Sequence, residues 1–208
     1  MKKVALLGAV LGLSAVMAGC GLIPPVALTN PLGLDGKKTP AVTLNTPAKG
    51  AISTQNVSGT ATFTSKFADD ANISIPITPS SLTIGIAFKG VELGGTCTVA
   101  TLPKDVITLS LSNIKVKASD AAKNVEKTLA GPLSFTVTRA NGALTVSNFS
   151  PIWTAAYAAA EITSMLDIFK TGGENTVDIS FNISTTDITT GGCTMTFTFG
   201  AGSGEVKI

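Results

Sequence analysis

The chain has 208 residues, with 15 basic and 13 acidic side chains, three cysteines and no histidine. A near-neutral balance with Arg139 as the single arginine supplies no basic face for nucleic acid. Without histidine, a Ser-His-Asp or Cys-His centre and an imidazole-built zinc site are excluded. Thr, Ser, Gly and Val abound while charge is sparse, which is the make-up of sheets and turns in a folded chain.

At the start, Lys2 and Lys3 precede an apolar run from Val4 to Val16, and the small residues Ala18 and Gly19 lead into Cys20. This is the build of an export signal. The apolar run is short for a spanning helix, which needs about 20 residues. The stretch Val16-Met17-Ala18-Gly19-Cys20 resembles the lipobox of bacterial lipoproteins, with Met17 where that family most often has leucine. The resemblance covers the first 20 residues. It implies cleavage before Cys20, which becomes the first mature residue and carries a diacylglycerol and acyl chains of the palmitate kind. A plain secretory signal and a retained anchor are the competing readings. Each buried CH₂ contributes about 0.8 kcal/mol, so two or three chains hold firmly where one does not. Gly21 stands where the enterobacterial form carries an aspartate for inner-membrane retention, so the resemblance favours the outer membrane.

The expected organisation is a signal over 1–19, an acylated cysteine and proline-rich tether over 20–50, and one mostly-β domain over 51–208. Prolines 24, 25, 31, 40 and 47 remove backbone donors along the tether; a short edge strand fits at Ala41–Leu44. Losing residues 1–19 also removes Lys2 and Lys3, which leaves the mature chain with 13 charges of each sign.

With Cys20 acylated, Cys97 and Cys193 remain, and in an oxidising compartment they are expected to form a disulfide. Both follow a glycine pair, Gly94-Gly95 and Gly191-Gly192, so each reads as a glycine turn entering a strand. Two buried free thiols are the alternative.

Period-two alternation predicts strands at Val57–Phe63, Ser81–Phe88, Thr96–Leu102, Val106–Val116, Leu133–Arg139, Ala143–Asn148, Val177–Thr185 and Thr194–Gly200. Asn141-Gly142 tolerates positive φ and predicts a tight hairpin. Residues 118–130 suit a short surface helix or a long loop. Ser150-Pro151 and Gly172-Gly173 bracket a predicted helix of about 151–170. Ile152, Ala155, Ala159, Ile162, Leu166 and Phe169 give it one apolar face. Trp153, Tyr157 and Glu161 then fall in a row on the other face. They are candidate contacts for a partner protein, a glycan or the headgroup region, or else are covered by a second layer.

Other candidates read as ordinary surface: Asp69-Asp70 as a solvated turn, and Glu161 with Asp167 as helix charges. Leu34–Lys37 and Gly172–Asn175 lack the spaced carboxylates of a calcium loop. The expected fold is mainly β, an antiparallel β-sandwich or strongly curved sheet packed by one helix. The expected function is a non-enzymatic cell-envelope lipoprotein without cofactor or metal, docking as a structural or accessory subunit onto a larger outer-membrane or surface assembly. The alternative is a carrier or chaperone of an apolar, lipid-like ligand held between sheet and helix.

Overall fold

The computed structural model describes residues 24–44, 55–65, 79–129, 131–147, 153–170, 175–188 and 191–208. In chain order these form β1 (Val26–Thr29), β2 (Val42–Leu44), β3 (Gln55–Ser65), β4 (Ser81–Gly95), β5 (Val106–Ser119), β6 (Asn124–Thr128), β7 (Leu133–Ala140) and β8 (Ala143–Ser147). There follow β9 (Trp153–Tyr157), helix α1 (Ala159–Lys170), β10 (Asn175–Thr185), β11 (Cys193–Gly200) and β12 (Ser203–Lys207). They build two antiparallel sheets, one of them a half-barrel, with one short helix.

The first sheet is organised along β4, the longest strand at 15 residues. β11 pairs with its later part, from Gly200↔Ala87 to Cys193↔Gly95, and β12 with its start, from Lys207↔Ser81 to Gly204↔Ile84. Residues 193–207 therefore run beside β4 as one interrupted strand. The N-terminal segment follows their outer side: β1 pairs with β12, Lys38 bridges to Thr198, and β2 pairs with β11.

Residues 24–44 of the stretch expected as a tether thus form the edge of a sheet. The prolines do not prevent this, because Pro24 precedes β1, Pro31 lies in the intervening turn and Pro40 precedes β2, none of them a ladder donor. Leu28, Leu32, Leu34, Val42 and Leu44 bury their side chains there. The expected edge strand at Ala41–Leu44 is present as β2.

The second sheet has the order β3-β10-β5-β7-β8, with β6 also on β5. β5 carries β7 along its first half and β6 along its second. Of residues 118–130, those up to 129 are described, and they hold the β5–β6 hairpin in place of the predicted helix or loop. Asp120 Oδ1 accepts from the Ala122 and Lys123 N–H groups at 2.7 and 2.6 Å, which closes the turn by side chain. The Asn141-Gly142 turn is present, with φ of 52° and 74°, and joins β7 to β8 at Ala140↔Ala143.

In most of the described strands alternation places one face inside. Along β10 every second residue is buried, from Asn175 to Thr185. Phe197 of β11 meets Phe181 at 5.3 Å and Phe135 at 6.1 Å, edge to face, across the two sheets. Phe63 packs on Phe199 in the same way at 5.4 Å. Such pairs contribute about 0.5–1.5 kcal/mol beyond the area they bury.

The helix begins later than predicted. Residues 153–157, read as its first turns, are β9, paired with β4 from Ile86↔Trp153 to Leu82↔Tyr157. The alanines favour a helix locally, but a ladder on a central strand outweighs a preference of a few tenths of a kcal/mol per residue. α1 then buries Ile162, Met165, Leu166 and Ile168. The expected strand at Thr96–Leu102 is instead a set of turns. Thr101 Oγ1 donates to the Thr96 carbonyl at 2.5 Å and accepts from the Thr98 N–H at 3.0 Å.

Candidate functional site

Cys20, the lipidation candidate, lies outside the described residues, as do Asp69-Asp70 and Gly172-Gly173. The other predicted positions fall in three places.

Cys97 and Cys193 form a disulfide, with 4.9 Å between Cα atoms, and both are fully buried. The glycines explain how the two segments come so close. Gly95 has φ +64°, and a Cβ there would lie 2.0 Å from the Gly192 carbonyl oxygen. That oxygen accepts from the Thr96 N–H at 3.0 Å, and the Gly192 N–H donates to Leu44 at 3.0 Å. The turns after Cys97 are then clamped by Arg139. Its Nη1 donates to the carbonyls of Val99 and Leu102, and its Nε and Nη2 donate to Asp105 at 2.9 and 2.7 Å. The single arginine is therefore committed within the fold.

Trp153, Tyr157 and Glu161 do not form one helical row. Trp153 and Tyr157 stand on β9 and Glu161 in the first turn of α1. The spacing misled because positions four apart share a side on a strand as well as on a helix. Tyr157 is only 9 % exposed, so it belongs to the core and not to a free surface. Lys127 Nζ lies 5.3 Å from its ring centroid. Burial, and secondarily the Glu161 charge, push its hydroxyl above the usual phenol range. Glu161 caps the helix: its Oε2 accepts from the Ala158 N–H at 2.7 Å and meets Lys127 Nζ at 2.5 Å. The Lys127 hydrogen bond, followed by the Ala158 N–H, holds the Glu161 carboxyl below the ordinary carboxylate range. Asp167, farther along α1, pairs with Lys123 of the β5–β6 turn. The two ion pairs fasten helix to hairpin, more than the plain surface charge expected of Glu161 and Asp167.

Leu34–Lys37 forms a turn. Asn30 Oδ1 accepts from the Leu34 and Asp35 N–H groups at 2.9 and 3.2 Å, and the Lys37 N–H donates to Leu34 at 2.9 Å. Among the described residues no group of three or more His, Cys, Asp or Glu side chains could hold a metal ion.

A feature missed in the sequence lies on the outer face of the second sheet. There a concavity of about 240 Å³ is lined by Thr60, Thr62, Lys115, Lys117, Glu126, Asp178 and Ser180 with parts of Ala61 and Ile179. Strand register builds it: Thr62, Asp178, Lys117 and Glu126 stand opposite one another across four strands. Thr62 Oγ1 donates to Asp178 at 2.8 Å, and Lys115 lies 3.4 Å from Glu126. The result is a water-accessible surface of hydroxyls and mixed charges. It can hydrogen-bond a polar partner through these groups, over a lining whose exposed area is mostly the carbon of the same side chains. The only sequence signal was the polar half of each alternation, scattered over more than a hundred residues.

What fold and surfaces define, among the described residues, is a mainly-β, two-sheet body with one disulfide and one apolar core. No family model, curated protein or solved structure matches this chain.

Proposed function

We propose that the protein is a non-enzymatic lipoprotein of the bacterial cell envelope, held at the outer membrane by acyl chains on Cys20. There it serves as an accessory subunit that docks through polar sheet surface onto a larger envelope assembly. The observation that carries the docking part is where the apolar content goes. Thirty-nine buried apolar side chains gather in one core, and Val26 and Val106 are the large apolar residues exposed among those described. What such a body offers a partner is hydroxyls and mixed charge, above all the face around Lys117 and Asp178. The carrier alternative needs room between sheet and helix. It loses support because Ile162, Met165 and Ile168 of α1 are at most 1 % exposed against that core. No helix among the described residues is long and apolar enough to cross a membrane.

Two measurements test the reading. Cys20→Ser should leave an unprocessed precursor that keeps residues 1–19 and carries no acyl chains. Normal processing and an unchanged envelope pellet would refute the anchor. Mild-detergent capture of the native protein should retain an envelope partner, and Lys115→Glu with Lys117→Glu should lose it. Retention by the double variant would remove this face from the docking role.

A further inference from the structure

We infer that the body stands on the bilayer in one orientation. The end where β1 and β4 begin and β9 finishes lies against the lipid headgroups, and the disulfide end points away. This rests on acylation at Cys20 and adds which surface meets the membrane.

The argument begins with chain length. Val26 is six residues beyond Cys20, and an extended chain advances at most about 3.6 Å per residue, so the anchor reaches roughly 22 Å. The far end of that reach is fixed. Val26 pairs with Val206, Thr29 pairs with Ser203, and the Asn30 N–H donates to Gly202 at 2.8 Å. β12 in turn lies on the first residues of β4, from Ser81 to Ile84. The 15 residues of β4 rise about 3.3 Å each, roughly 45 Å along the strand. Its last residue, Gly95, opposes Cys193, so the disulfide sits beyond the anchor's reach.

The surface at the near end suits a headgroup layer. Pro25, Val26 and Ala27 are exposed, and Ala158, Ala159 and Ala160 are exposed where β9 passes into α1. None carries charge. The neighbouring Lys207 and Glu205 pair with each other at 3.2 Å, so they add no net charge to bring near lipid. The other exposed large apolar residue, Val106, begins β5 beside the clamped turns after Cys97, at the opposite end. Contact through Val106 is the competing orientation.

The test uses the full acylated protein in phosphatidylcholine vesicles containing headgroup-spin-labelled lipid. With Cys20 acylated and Cys97 bonded to Cys193, an introduced cysteine is the single free thiol for a fluorophore. A reporter at Ser80→Cys, exposed beside the start of β4, should lose most of its emission, while one at Ala100→Cys keeps its value in vesicles without spin label. A Gly-Ser insertion between Pro25 and Val26 should restore emission at position 80. Equal quenching at both sites, or stronger quenching at position 100, overturns the orientation while an acylated mass keeps the anchor. An unacylated Cys20 with no vesicle binding overturns both.

Discussion

Glu161 shows how one carboxylate can serve two elements. It accepts from the backbone at the start of α1 and holds Lys127 of β6, so it closes a helix end and fastens it to the sheet. Its carboxyl is held below the ordinary range, first by Lys127. A depressed carboxylate adds stability that is present above its unfolded value and is lost as pH falls through the folded one. Asp187 behaves alike, lowered by Lys104 and then by the Thr108 N–H. Glu161→Gln keeps an acceptor for Ala158 but removes the charge. It should cost about 0.5–1 kcal/mol in urea unfolding near neutrality. It should also weaken the loss of stability below about pH 4. An acid limb identical to that of the unchanged protein would contradict this. Tyr157→Ala should cost roughly 3 kcal/mol, as for other buried aromatic truncations. A variant within about 0.5 kcal/mol of the parent, the range of ordinary surface positions, would show the ring to be a surface contact after all.

The disulfide and its glycines act between elements. They join the end of β4 to the start of β11 across 96 residues, and the chain-entropy relation gives about 4–5 kcal/mol for a loop of that size. Cys97→Ala with Cys193→Ala should lower the denaturation midpoint accordingly. Before reduction, the unfolded native protein should take up no alkylating agent at these positions. Gly95→Ala should cost about 1–3 kcal/mol or more, because the position combines positive φ with contact on the Gly192 carbonyl. How much was legible follows from how local each signal is. The Asn141-Gly142 hairpin and the glycine–cysteine repeats could be read because a few adjacent residues determine them. β9 could not, because Trp-Thr-Ala-Ala-Tyr becomes a strand only through β4, some seventy residues earlier. β12 was hidden because Gly204 and Glu205 interrupt the alternation of a five-residue strand. β1 was hidden by the prolines around it, which proved compatible with an edge. The polar concavity belongs to no single segment, so no reading along the chain could assemble it.

For the whole molecule, the two sheets consume the apolar residues in a shared core and turn hydroxyls and charges outward. Charge reversal at Lys115 and Lys117 sets glutamates against Glu126 and Asp178, so it should cost about 1–2 kcal/mol in cross-strand repulsion while removing the partner. A larger loss of stability would mean that the face supports the fold. Everything proposed about place and orientation depends on the sulfur at position 20, and the mass of the intact protein extracted from native membranes tests it most directly. The account predicts a chain beginning at Cys20 with the added mass of a diacylglycerol, resistant to alkylation there. A chain beginning elsewhere, or a Cys20 thiol open to alkylation, would contradict it.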